Sequence, residues 1–177
     1  MSLLIALTAL FTADAATLAG VTLADSATVG GQSVVLNGIG LREKYMLDIY
    51  VAGLYLPQKT TNAEQAITQD VPKQIVMSMV RDLSKEQLAD SIRESAAKQS
   101  LSGEAQAGID QLSGWMTAVS SGQKVVLTYV PGQGTSLSIN GSNKGTVAGT
   151  ATMQAIWRIF LGSPPVTEDL RRGLLGQ

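Results

Sequence analysis

The chain has 177 residues, with 13 Lys and Arg against 14 Asp and Glu, and it contains neither histidine nor cysteine. Without these two residue types it cannot build a Ser-His-Asp triad, a Cys-His dyad, a thiol redox centre or a His/Cys zinc site. A net charge of −1 with only 15% charged residues gives no broad electrostatic footprint for nucleic acid or an anionic membrane. We therefore expect no nucleic-acid partner, no metal and no cofactor.

The first fifteen residues resemble a secretory signal. Residues 2–11 form an apolar run of h-region length, and Ala13-Asp14-Ala15 supplies a small-residue cleavage site after it. A buried first helix would have a similar composition, and no Lys or Arg precedes the run. The run is shorter than the roughly 20 apolar residues that span a bilayer. The sequence predicts a signal peptide over residues 1–15, a single domain over residues 16–177 without a transmembrane segment, and a periplasmic or secreted protein.

The first half of the domain predicts strands. Gly30-Gly31 interrupts the weakly alternating residues 20–36, which favours a hairpin. Residues 42–56 are rich in Tyr, Ile, Val and Leu and are typical of strand, with room for one reversal of the chain. A short helix over residues 62–69 and a strand over residues 74–80 follow.

Two helices are predicted next. Ser84-Lys85-Glu86-Gln87 matches a capping box, so a helix is expected to begin there and to run to about Lys98. A second helix is indicated by apolar residues at offsets of three, four and three, which form one stripe. These residues are Ile109, Leu112, Met116 and Val119.

The last third predicts strands and then helices. Residues 125–130 are expected to form a strand, and Asn140-Gly141 favours a two-residue hairpin turn because both residues tolerate positive φ. Residues 151–161 carry a helical apolar stripe, and a final short helix is expected to open at Thr167. The element order is neither a βαβ alternation nor all-β, so the predicted fold class is α+β.

Five motifs in order resemble the chalcone isomerase family, including its bacterial secreted members. They are residues 36–42 (LNGIGLR), 51–56 (VAGLYL), 80–84 (VRDLS), 129–135 (YVPGQGT) and 157–166 (WRIFLGSPPV). The resemblance implies an open-faced β-sandwich, in which helices are layered on one face of a large antiparallel sheet and a pocket lies between them.

The same resemblance implies that the family's cyclisation chemistry is absent. Aligning the motifs puts Leu88, Met79 and Ser95 at the positions of the family's catalytic Tyr, Lys and Asn, and Tyr50 at its Thr. Only Arg42 is retained. Replacing a phenol and an ammonium by Leu and Met removes groups that hold and polarise a flavonoid and leaves more apolar walls.

An Arg and a Tyr near an apolar pocket resemble the noncatalytic, fatty-acid-binding branch of this family. A guanidinium offers parallel donors to a carboxylate, and a phenol adds another without adding charge. In one unbroken strand, however, Arg42 and Tyr50 would lie roughly 26 Å apart, so they can share a carboxylate only if the chain reverses between them. Tyr45 or Tyr129 could replace Tyr50.

The leading hypothesis is a secreted, noncatalytic protein that binds a fatty acid or similar small amphiphile; the sequence does not identify a protein partner. The predicted ligand-binding residues are Arg42, Tyr50, Met79, Leu88 and Tyr45. Two alternatives remain: an isomerase or lyase acting on an unknown substrate, and a structural or partner-binding envelope protein. Arg42 could instead serve as an ion-pairing residue at the edge of a sheet, and Tyr50 could be an ordinary core residue.

Overall fold

A computed structural model describes residues 15–177; the predicted signal peptide, apart from Ala15, lies outside the described residues. Two short strands, β1 (Ala15–Leu18) and β2 (Val21–Ala24), form a separate antiparallel pair. The main sheet has seven antiparallel strands in sequential order. They are β3 (Ser26–Val29), β4 (Gln32–Lys44), β5 (Leu47–Leu56), β6 (Lys73–Met79), β7 (Lys124–Val130), β8 (Gly134–Ile139) and β9 (Ser142–Val147).

Two-residue turns connect three of the strand pairs of the main sheet. Gly30-Gly31 joins β3 to β4 and Asn140-Gly141 joins β8 to β9, all four residues with positive φ, as the sequence predicts. The reversal within residues 42–56 lies at Tyr45-Met46, where φ is 54° and 61°. This turn makes β4 and β5 adjacent strands.

Five helices are present within residues 15–177. The Asn62 side chain caps the first helix, and the Ser84 capping box is formed in full. The helices are α1 (Ala63–Thr68), α2 (Lys85–Ala96), α3 (Gly103–Gly114), α4 (Thr150–Leu161) and α5 (Glu168–Leu174).

The helix over the second apolar stripe is shorter than predicted. The prediction that Met116 and Val119 continue it is wrong, because α3 ends at Gly114. Both residues are nevertheless buried, and the backbone of Val119 bridges to Leu83. The apolar spacing therefore correctly indicates that these residues are buried, although they lie beyond the end of the helix.

The main sheet has an apolar core on each face, and β5 contributes to both. Tyr50, Ala52 and Leu54 pack on the side covered by α2, α3 and α4. Val51 and Tyr55 pack on the opposite side beneath the β1–β2 hairpin. The alternation of side chains along a strand explains this division. None of the helices within residues 15–177 is long and apolar enough to cross a membrane.

Helix α5 packs closely on β4 through glycine. A Cβ at Gly38 would lie 2.2 Å from the carbonyl oxygen of Gly173, so only glycine permits this approach of the two backbones. The contact fixes the segment before α5 over the end of β4 that carries Arg42, since the Val166 carbonyl accepts a hydrogen bond from that side chain.

Candidate functional site

An open cavity of about 640 Å³ lies where the β4–β5 hairpin faces α2. We call it the outer cavity. The sheet side contributes Arg42, Lys44, Tyr45, Leu47, Ile49 and Tyr50. The other side is formed by the segment between β6 and α2 and by α2 itself, with Arg81, Asp82, Leu83, Gln87, Leu88, Asp90, Ser91 and Glu94. This volume lies within the range of small-molecule sites.

Arg42 and Tyr50 are directly opposite each other on β4 and β5. Because the chain reverses at Tyr45-Met46, the pair are cross-strand neighbours, whose Cβ atoms lie roughly 4.5–5.5 Å apart in antiparallel sheets. One guanidinium nitrogen of Arg42, Nη1, donates to the Val166 carbonyl oxygen at 2.9 Å. None of the ion pairs among the described residues involves Arg42. Its side chain lines the cavity, and the guanidinium has further N–H donors beyond the one bound to Val166.

Tyr50 lies at the base of the outer cavity and is only 7% exposed. Burial raises its pKa to about 12, although the neighbouring Arg42 charge acts in the opposite direction. At neutral pH the hydroxyl is therefore protonated and can donate a hydrogen bond. Arg42 and Tyr50 together form a cation and a neutral donor on one wall, an arrangement suited to a carboxylate.

A second, much smaller cavity of about 40 Å³ lies beneath the first. Tyr50, Leu88 and Ser91 line both cavities and form the partition between them. The rest of this inner cavity is almost entirely apolar. Its other lining residues are Met77, Ile92, Ser95, Met116, Val125, Ile159, Phe160 and Val166.

The opening of the outer cavity carries charges of both signs. Lys44 lies on the β4–β5 hairpin and Arg81 follows β6, while Asp90 and Glu94 lie one helical turn apart on α2. The Lys44 ammonium is 3.9 Å from a Glu94 carboxylate oxygen, and both side chains are largely exposed. Such a pair is weak, because water screens it.

The structure brings four of the five predicted ligand-binding residues to the outer cavity. Arg42, Tyr50 and Leu88 line its walls, and Tyr45 lies at its rim with 85% of its surface exposed. Met79 pairs with Tyr50 in the sheet but is packed in the core and lines neither cavity.

Tyr129, the alternative partner for Arg42, lies elsewhere. Its hydroxyl donates to an Asp70 carboxylate oxygen at 2.5 Å, and it lines neither cavity. It belongs to a buried group around Lys73, whose ammonium donates to the carbonyl oxygens of Ala66 and Ile67 at 2.8 and 2.9 Å. Sequence reasoning missed this buried lysine, since a lone Lys at the start of a strand is usually solvated.

Two contributions to the outer cavity also escaped the sequence analysis. Arg81 lies two residues after the end of β6, and its place within the VRDLS motif was the available signal. The Val166 carbonyl that holds Arg42 is 124 residues away in the chain. Nothing local in the sequence indicates that contact.

Residues 15–176 match the family described as chalcone isomerase-like. The chain belongs to the chalcone isomerase-like family. A crystal structure of a fatty-acid binding protein of Arabidopsis thaliana has the same fold, with a TM-score of 0.72 and 19% sequence identity over 92% of this chain and 96% of that one. No curated protein matches the sequence.

The family assignment confirms the predicted α+β fold and the recognised family. The antiparallel sheet with helices on one face is the chalcone isomerase-like architecture that the motifs implied. Of the positions aligned with the isomerases' catalytic residues, Leu88 lines both cavities and Ser95 lines the inner one. The cavity wall is therefore apolar at the position where the resemblance implies a phenol in the isomerases.

Proposed function

We propose that this protein binds a fatty acid or similar small amphiphile without transforming it, and that it does so in the periplasm or outside the cell. The observation that carries the proposal is the pairing of Arg42 and Tyr50 across β4 and β5 at the base of an open cavity. The guanidinium and the phenol would hold the carboxylate. The fatty-acid binding protein of the same fold supports this choice of ligand.

The dimensions of the two cavities favour a ligand whose apolar part lies mainly in the outer one. The inner cavity, at about 40 Å³, has room for little more than one small group. A longer chain would have to displace side chains such as Met77 and Met116, which are flexible enough to move. Short and medium chains are therefore the expected ligands.

Binding is favoured over acid-base catalysis by the state of Tyr50. A general base at neutral pH needs a pKa near the working pH, whereas burial raises that of Tyr50 to about 12. Burial lowers the pKa of Lys73 to about 7, but this residue lines neither cavity. The isomerase or lyase alternative therefore lacks support from these two groups.

Native mass spectrometry of the purified protein, followed by solvent extraction, tests the proposal. The expected result is a bound amphiphile with a carboxylate or an equivalent anionic group. A protein that is empty and also refuses a panel of short- and medium-chain fatty acids would contradict it. That outcome would favour the structural or partner-binding alternative.

A further inference from the structure

The β4–β5 turn presents three large apolar side chains to solvent. Tyr45 is 85% exposed, Met46 95% and Leu47 47%, and these are the exposed large hydrophobic residues of the described chain. We call these three residues the hairpin tip. Single exposed apolar residues are common on protein surfaces, but three in a row at one projecting point are not accounted for by folding.

The backbone of this turn is unfavourable for the residues that occupy it. Tyr45 and Met46 both have positive φ, a region that side chains with a Cβ rarely adopt. The same chain uses Gly30-Gly31 and Asn140-Gly141 at its other two-residue turns of the sheet, where positive φ carries little strain. Tyr45 and Met46 therefore occupy a strained turn while leaving most of their apolar surface in solvent, which points to an external contact.

The hairpin tip also projects beyond the neighbouring strands. Along β4, the pairing with β3 extends no further than Val35, and along β5 the pairing with β6 begins at Tyr50. Residues 43–48 thus pair only with each other. Tyr45 and Leu47 line the rim of the outer cavity, so whatever contacts the tip lies at the cavity opening.

The charges at this opening indicate which kind of surface fits. The cations Lys44 and Arg81 are balanced there by the carboxylates of Asp90 and Glu94. A rim with both signs complements headgroups that carry both a phosphate and an ammonium group, whereas it offers no net attraction to a strongly anionic surface. Tyr is typical of the membrane interface, and the Lys44 stem can extend towards phosphates.

We propose that the hairpin tip docks the opening of the outer cavity onto a zwitterionic phospholipid bilayer, with Tyr45, Met46 and Leu47 inserted among the headgroups. An amphiphile could then pass between the bilayer and the cavity without crossing water. The docking surface itself rests on the exposure, backbone and position of the tip. It does not depend on which ligand the cavity holds.

Co-sedimentation of the full chain with phosphatidylcholine vesicles tests the proposal. Met46→Gly removes an exposed side chain that does not line the cavity and relieves the positive φ, so the variant should be at least as stable as the parent. We expect its vesicle partitioning to fall by about tenfold, the effect of losing most of one buried Met side chain. Met46→Leu keeps an apolar tip and should stay within about twofold.

The lipid composition and the ligand provide the remaining controls. Adding phosphatidylserine should change partitioning by no more than about twofold, because the rim has no net charge. Arg42→Leu should keep vesicle binding even where it loses decanoate, and Met46→Gly should keep decanoate binding, which separates docking from the proposed function. The proposal would be overturned if Met46→Gly and the parent partitioned equally, or if vesicle binding required anionic lipid. It would also be overturned if the parent did not bind vesicles but formed a dimer that Met46→Gly lost.

Discussion

Arg42 is held in place by a contact that leaves most of its donors unused. One guanidinium nitrogen binds the Val166 carbonyl, which orients the side chain along the cavity wall. A guanidinium has five N–H donors, so a ligand carboxylate can still be bound in bidentate fashion. Its neighbour Tyr50 is protonated at neutral pH and adds a donor without a charge.

Tyr50→Phe should weaken fatty-acid binding by about 0.5–1.5 kcal/mol, because it removes one hydrogen-bond donor and keeps the ring. Isothermal titration with decanoate measures this. Tyr129→Phe is a matched control, since it removes a buried-ring hydroxyl that binds Asp70 and lines neither cavity. An unchanged affinity for Tyr50→Phe, or an equal loss in Tyr129→Phe, would count against the role of Tyr50.

Lys73 should make stability depend on pH in the alkaline range. Burial lowers its pKa to about 7, an effect that the nearby Asp70 charge partly offsets, while an unfolded Lys titrates near ~10.4. Between these values the unfolded chain binds more protons, so the free energy of unfolding should rise with pH from about 7 to about 10. Above that, the raised pKa values of Tyr50 and Tyr129, both about 12, reverse the trend.

Urea unfolding at about pH 7.5 and about pH 9, both inside the window set by the two lysine pKa values, measures this rise. Lys73→Met should abolish it, whatever the absolute stability of the variant. Its Nζ contacts with two carbonyl oxygens and with the Trp157 ring disappear together. A slope that is the same in parent and variant would show that another group titrates there.

At the scale of elements, the turns and caps were predictable where the residues themselves favour the required backbone. Gly30-Gly31, Asn140-Gly141 and the Ser84 capping box behave as the sequence indicates. The turn that completes the site was not predictable, because neither Tyr45 nor Met46 is a residue typical of tight turns. The sequence allowed a reversal within residues 42–56 but could not place it, so the pairing of Arg42 with Tyr50 depended on the structure.

Gly38→Ala should lower the melting temperature by several degrees, a destabilisation of about 1–3 kcal/mol, because the new methyl group meets backbone atoms that cannot rotate away. It should also weaken ligand binding, since α5 and the Val166 carbonyl would shift relative to Arg42. Gly103→Ala is the control, as nothing lies within 4 Å of its added Cβ. Thermal unfolding measures the melting temperatures of both variants. Equal melting temperatures would contradict the close packing of α5 on β4.

At the scale of the molecule, the sheet separates two apolar cores, and the candidate site lies at one end of the helix-covered one. The helix-covered core is filled almost completely around the inner cavity, while the outer cavity opens beside the β4–β5 hairpin. Composition and motifs were enough to predict the α+β class and the family. They could not predict the cavity volumes, which depend on how side chains distant in sequence fill one space.

Leu88→Ala should shift the chain-length preference towards longer fatty acids, because it opens the partition between the two cavities. Each additional buried methylene should contribute about 0.8 kcal/mol. Titration of a series of chain lengths measures this shift. Leu112→Ala removes another buried Leu, one that lines neither cavity, so it should lower stability and keep the original preference. The same shift in both variants would contradict the assigned partition.

The most direct test is calorimetric titration of decanoate into the parent, Arg42→Leu and Arg172→Leu. Arg172 is exposed on α5 and pairs with Asp169, away from both cavities. We predict that Arg42→Leu weakens binding by about 1.5–3 kcal/mol, as expected for a charge-assisted hydrogen bond, and that Arg172→Leu binds like the parent. A folded Arg42→Leu variant that binds decanoate with the parent's affinity would contradict the account.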